Sequence, residues 1–198
     1  MLAGFGKSWS VQMKGAGVLL AAGASRRMGA PKALMPWGKT TFAGHLSQIL
    51  LALPLAQRGA VCRFPLHCGL PEWNNPDPDR GMLSSLQVAL QYLQPDLEWM
   101  MVCLVDQPSI SASTFERMMA RAKADSWSSP VYQGQRGHPV VIGKACFDVL
   151  RQADPQASPR QVLAPFPRQL VEVEDPGVCL DFDTPEQWQA FLDLQKQV

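Results

Sequence analysis

Two kinds of apolar pattern alternate along this chain. Val18–Ala22 and the stretch "WMMVCLVD", Trp99–Asp106, are short and almost continuously apolar. A strand with no polar face has to be covered on both sides. Between such runs, apolar residues recur every three or four positions. Phe42, Leu46, Ile49, Leu50 and Leu53 give one helical stripe over Thr41–Leu53, and "MLSSLQVALQYL" gives another, with Ser84 or Ser85 as its cap. Ser111–Ala124 predicts a helix with a serine N-cap. Pro185–Gln195 predicts a closing helix entered from Asp183 and Thr184, with proline in its favoured first turn. Shorter strands are expected at Gly59–Phe64, cut by Pro65, and near Ser128–Tyr132, Pro139–Ile142 and Gln169–Val173. Residues 67–81 are rich in proline and glycine and read as loop.

Strands alternating with helices predict an α/β fold, three-layered and doubly wound around a mostly parallel sheet. In such sheets ligands sit beyond the carboxyl ends of the strands, where strand order reverses. That rule singles out Gly23 after the first strand, Asp106 after six apolar residues, and Asp181 and Asp183 late in the chain.

Length and composition narrow the class. A chain of 198 residues with 46% hydrophobic content fits one packed domain, expected over residues 13–198. Residues 1–12 are expected to be a flexible extension, because Met13 leads straight into the first strand. With 18 basic and 17 acidic residues, no overall field would attract nucleic acid or an anionic membrane, so anion binding has to be local. No apolar run is long enough to span a bilayer. The five cysteines contain no CxxC pair and read as reduced thiols of a cytoplasmic protein.

The local anion site is announced by "GVLLAAGASRRMGAPKAL", Gly17–Leu34. Glycine lets a ligand approach the backbone, successive N–H groups can form an anion nest, and Arg27 and Lys32 add full positive charges. The spacing is neither a Walker A loop nor a Rossmann fingerprint. Read on spacing alone, the segment is either an anion site or a solvated surface loop. Asp106 alone either caps the next loop or binds a metal. Asp183 either caps the last helix or joins the metal site, and Asp181 is then the expected second ligand. His138 in "RGHPV" is either a structural histidine or a ligand contact.

The long motif resembles the signature of the MobA-like nucleotidyltransferases, through Leu20, Ala21, Ala22, Gly23, Ser25, Arg27, Met28, Gly29 and Lys32. "NPDPDRGMLSSL" resembles the family's Asn-Pro stretch through Asn75, Pro76, Gly81, Ser85 and Leu86. "LVDQP", "RGHPV" and "LDFDTPEQW" resemble three later motifs, so the resemblance covers about residues 17–190. Ala21-Ala22 and Pro36-Trp37 look most like the molybdenum cofactor cytidylyltransferases.

The resemblance implies a Rossmann-like nucleotidyltransferase fold and transfer of CMP from CTP to a molybdopterin-type cofactor. The implied partners are these small molecules and, transiently, a molybdenum enzyme. Lys32, Arg27 and Asp106 would be catalytic, with Mg²⁺ on Asp106 and Asp181. Leu20, Ala21, Ala22, Gly23, Ser25, Lys32, Asn75, Gly81 and Ser85 would bind nucleotide, and Gly137, His138 and Pro139 the acceptor. Two stretches depart from the family pattern. Residues 59–74 are too short for a strand plus a full helix, and "ADPQASPRQVL" keeps Asp154 and Arg160 but lacks two glycines. Two alternatives stay open: transfer to another phosphorylated or alcohol acceptor, and a non-catalytic nucleotide or pterin carrier.

Overall fold

The structure, a computed structural model, describes residues 13–195. The expected extension, residues 1–12, lies outside the described residues. The chain opens with β1 (Met13–Ala21), then a two-residue hairpin, β2 (Pro36–Trp37) with β3 (Thr40–Thr41), and α1 (Phe42–Ala52). Next come β4 (Leu55–Cys62), β5 (Glu72–Asn74), α2 (Met82–Tyr92), β6 (Trp99–Leu104) and α3 (Ala112–Met119). The last part holds β7 (Trp127–Tyr132), β8 (Gln135–Arg136), β9 (Val140–Gly143), α4 (Phe147–Gln152), α5 (Pro159–Val162), β10 (Arg168–Glu172) and α6 (Pro185–Gln195).

The main sheet runs β10-β7-β9-β6-β1-β4-β5, with β8 paired to β7. β1 lies parallel to both β4 and β6, and β10 lies parallel to β7, whereas β9 is antiparallel to β6 and β7. The expected mostly parallel, doubly wound architecture is therefore present. From β1 the chain builds outward through β4 and β5, then crosses back to β6 on the other side. The order reverses at the β1–β6 border, which is where an open α/β sheet leaves a ligand crevice.

The two continuous apolar runs form the centre of this sheet. Leu19 and Ala21 of β1, with Met101 and Cys103 of β6, bury on the face covered by α1 and α3. Val18 and Leu20, with Met100 and Val102, bury on the opposite face under α2 and α4. Successive side chains of a strand point to opposite faces, so both positions of each pair have to be apolar. Thr41 and Ser111 cap α1 and α3 through their side chains, accepting from Gly44 N and Thr114 N. Among the described residues, no helix is long and apolar enough to cross a membrane.

Three expectations change. α2 starts from Gly81 with no side-chain cap, because Ser84 and Ser85 lie inside its first turn. Their hydroxyls instead accept from the buried Asn75 amide, each at 3.0 Å. The 67–81 loop contains the edge strand β5, parallel to β4, and residues 63–71 hold no helix. α3 ends at Met119, short of the expected Ala124.

Candidate active site

Beyond the carboxyl end of β1 the chain forms a compact loop. Its left-handed positions are Ser25 (φ 51°) and Gly29 (φ 71°). Gly23 is not among them, and a Cβ added there would meet no protein atom within 4 Å. What Gly23 keeps open is space above the backbone. Ser25 Oγ accepts the Lys32 N–H at 3.0 Å, which fixes the loop's exit into a single turn of 3-10 helix, Lys32–Leu34. That turn swings the Lys32 side chain inward, and the residue is only 8% exposed.

Lys32 Nζ donates to Asp106 Oδ2 at 2.9 Å and to Asp183 Oδ1 at 2.5 Å. Arg27 reaches the other oxygen of Asp183, also at 2.5 Å. Burial alone would lower the proton affinity of Lys32, but the two carboxylates outweigh it and raise its pKa above the ordinary lysine value. The same lysine, by hydrogen bond and charge together with Arg27, outweighs desolvation and lowers the pKa of Asp183. Lys32 thus holds its proton more tightly than a free lysine, and Asp183 its negative charge more firmly than a free aspartate.

Asp106 follows β6, whose end is tied to β1 by the Val105 N–H to the Leu20 carbonyl at 3.1 Å. Asp183 arrives from the other end of the sequence. Phe182 N–H donates to the Asp106 carbonyl at 2.9 Å. Its ring packs with Trp37, Phe42, Trp188 and Phe191 in one aromatic cluster. Trp37 of the Pro-Trp pair is therefore part of the anchor for α6. The cap of α6 is Thr184: its Oγ accepts Gln187 N–H, while Gln187 Oε1 accepts the N–H groups of Thr184 and Asp183. This is a capping box, and it frees the Asp183 carboxylate for Lys32.

The sequence pointed to Asp181 as the second carboxylate, but the structure brings Asp183 to Asp106 instead. Asp181 is exposed and borders neither cleft described below, whereas Asp183 meets Asp106 on Lys32. Two carboxylates converging on one cation position suit a hard divalent ion. Among the described residues no group of three His, Cys, Asp or Glu could hold a metal. A cation here would complete its shell with phosphate oxygens and water, as Mg²⁺ commonly does.

A cleft of about 240 Å³ opens beside this cluster. Leu20, Ala21, Ala22, Gly23, Ser25 and Lys32 form one wall, and Gly81, Ser85 and Asp106 lie across it. Gly81 sits at φ 106°, a backbone angle suited to glycine, and turns the chain into α2. Asn75 does not border the cleft; it is buried behind it, holding Ser84 and Ser85. Arg27 lines an adjoining groove with Arg26, Gly23, Ser25, Lys32 and Asp183. Phe64 and Pro78 complete the first cleft, and neither carried a signal in the sequence.

Met82 borders both this cleft and a second one of about 360 Å³, which lies over the sheet face beneath α2 and α5. Gly137 and His138 line it, but Pro139 is buried and does not. Gly137 answers to packing: a Cβ there would stand 1.8 Å from the Val178 carbonyl oxygen. Burial lowers the His138 pKa to about 4, offset in part by the charge of Asp106, so the ring is neutral at ordinary pH.

The chain is similar to known proteins in sequence and in fold. A family model for the MobA-like NTP transferase domain matches residues 17–173. The molybdenum cofactor cytidylyltransferase of Escherichia coli is 27% identical over 177 residues, covering 85% of this chain and 91% of that protein. The nicotine blue oxidoreductase of Paenarthrobacter nicotinovorans is 31% identical, over 89% of this chain and 95% of that protein. Among solved structures, the homologue of Mycobacterium tuberculosis rv0371c from Mycobacterium sp. strain JC1 superposes with a TM-score of 0.76 at 26% identity, covering 92% of this chain and 97% of that one.

Proposed function

The chain belongs to the MobA-like NTP transferase family, and we propose that it transfers CMP from CTP to the terminal phosphate of a molybdopterin-type cofactor. The observation that carries this reading is the convergence of Lys32, Asp106 and Asp183 at the ends of β1 and β6, beside a cleft walled by the glycine–serine–lysine loop.

The chemistry follows from charge. An acceptor phosphate oxygen bonds to the α-phosphorus, the bond from that phosphorus to the bridging oxygen of the β-phosphate breaks, and pyrophosphate leaves. The acceptor phosphate is already ionised near neutral pH, so no general base is needed. The obstacle is repulsion between anions. Lys32 and Arg27 offset the charge that shifts onto the leaving group. Asp106 and Asp183 would hold a divalent cation such as Mg²⁺, which supplies further charge neutralisation when bound. Ser25 and the open backbone at Gly23 receive phosphate oxygens, and Ala22 faces the base.

The test is pyrophosphate release by the purified chain with molybdenum cofactor, Mg²⁺ and either CTP or GTP. Release with CTP well above that with GTP supports the reading, and Ala22→Gly is expected to narrow the preference. Equal use of both nucleotides would remove the CTP assignment, and no release with any nucleotide would remove the transfer reading. The 31% identity to an oxidoreductase favours one second reading, a redox activity on a small substrate. It predicts turnover that needs a redox co-substrate and no nucleoside triphosphate.

A further inference from the structure

The second cleft has a floor made by one face of the sheet. Trp127 and Ser129 lie two apart on β7 and share that face, beside Val140 and Ile142 of β9. Met82 and Leu86 of α2 and Leu163 after α5 form the opposing wall. The body of the cleft is thus apolar, with the Trp127 indole in its floor.

Its rim is not apolar. Arg136 of β8, Arg160 of α5 and Arg168 of β10 all line it. The Arg168 guanidinium lies over the Trp127 ring, 5.2 Å from its centroid. None of the three takes part in a salt bridge among the described residues. They act on one another instead: after burial, the charges of Arg136 and Arg160 lower the proton affinity of Arg168. Three cations gathered without a carboxylate are unfavourable unless an anion joins them. A second observation points the same way. Ser129, 3% exposed, keeps its hydroxyl without any hydrogen-bond partner, although it borders this cleft. A buried hydroxyl left unpaired is destabilising, and a ligand oxygen would pair it.

We propose that this cleft selects a flat anion: an apolar ring system lies along Trp127 and Ile142, and an anionic group on it is held by Arg136, Arg160, Arg168 and the Ser129 hydroxyl. Arginine suits this task because its planar fork binds phosphate or carboxylate through two parallel hydrogen bonds. The shared Met82 places such a ligand next to the first cleft. The inference rests on the transfer reading only for the use made of the ligand, as acceptor; its binding stands independently. The three arginines and Ser129 then determine acceptor affinity, and they leave nucleotide affinity alone.

The experiment is calorimetric titration of the full chain with 1-naphthyl phosphate and with uncharged 1-naphthol as probes. The phosphate is expected to bind saturably, at least about tenfold tighter than the naphthol, and to weaken with added salt. Arg160→Ser and Arg136→Ser change exposed side chains and are expected to cost about tenfold each, with Ser129→Ala costing about fivefold. The thermal shift given by CTP with Mg²⁺ is expected to stay unchanged in these variants. Equal binding of both probes overturns the proposal. So does binding that survives the arginine changes but disappears in Lys32→Ala, which would put the probe in the first cleft. Loss of pyrophosphate release with probe binding intact would instead overturn the transfer reading alone.

Discussion

The two clefts on either side of Met82 handle charge in opposite ways. In the first, every cation of the loop already has an anion. Lys32 meets Asp106 and Asp183, Arg27 meets Asp183, and Arg26 lies 3.7 Å from Asp79. In the second, three arginines face the cavity with no acidic partner among the described residues. The difference is chemical. A site that handles a divalent ion together with a polyphosphate needs both signs of charge, and without ligand they neutralise each other. A site that receives a lone anion needs one sign only. Substitutions should therefore separate the clefts: changes in the first act on rate, and changes in the second act on acceptor affinity.

The largest effect is expected at Lys32. Removing one preorganised charge contact from a transferring phosphoryl group typically costs about a hundred- to a thousandfold in rate. Lys32→Ala should show that loss in steady-state pyrophosphate release, and Asp106→Ala should match it. Lys32→Ala also leaves two part-buried carboxylates facing each other. A melting curve measured alongside separates that structural cost from the kinetic one. Turnover near normal in either variant would break the comparison, because the first cleft would then not be where the chemistry happens.

Next in size is the contrast between Asp183 and Asp181. Asp183→Asn is expected to reduce turnover by about a hundredfold, and Asp181→Asn to change it less than about twofold. This pair also shows how far the sequence could be read. β1 and β6 were legible because strands covered on both sides have to be apolar at every position. The loop was legible because its residue types are poor core material and its motif is long. The choice between two aspartates was not visible in spacing, since both share a face if that stretch is extended. What sets them apart in the structure is a capping box, Thr184 with Gln187, which takes over the capping role that Asp183 could have had. A threonine followed three residues later by glutamine just inside the helix was the available signal. In the second cleft "RGHPV" pointed to Gly137 and His138, but nothing pointed to the cluster of arginines. Arg136, Arg160 and Arg168 come from three separate elements, and two of these, β8 and α5, are too short to show a period.

Gly137 gives a smaller effect that sharpens the comparison. It joins Arg136 to His138 along one wall of the second cleft. Its N–H donates to the Pro130 carbonyl at 3.0 Å, and the next N–H, on His138, donates to the Val178 carbonyl at 3.2 Å. A methyl at 137 would drive into that Val178 carbonyl, so the wall has to move. Overpacking of this kind costs about 1–3 kcal/mol. Gly137→Ala should lower the melting temperature and raise the acceptor KM, while nucleotide binding in the first cleft, on different elements, stays close to that of the parent. A parallel loss of nucleotide binding would mean that the two clefts behave as one.

The smallest effect concerns His138, where the clefts come closest electrically, because Asp106 in the first acts on a ring that lines the second. Burial holds the folded imidazole neutral down to a pKa of about 4, against 6.5 in the unfolded chain. Between those values the unfolded state binds the proton first, so this contribution to stability is complete above pH 6.5 and is lost as pH falls toward 4. Over pH 6.5 to 5.5 the loss is about 1 kcal/mol. Urea midpoints across that range should fall in the parent and fall less in His138→Asn. The rate of pyrophosphate release should show no histidine inflection near pH 6.5, since the ring stays neutral throughout. An inflection at that pH which vanished in His138→Asn would mean that the ring carries charge in the working enzyme, and the second cleft would then hold a fourth cation beside its three arginines.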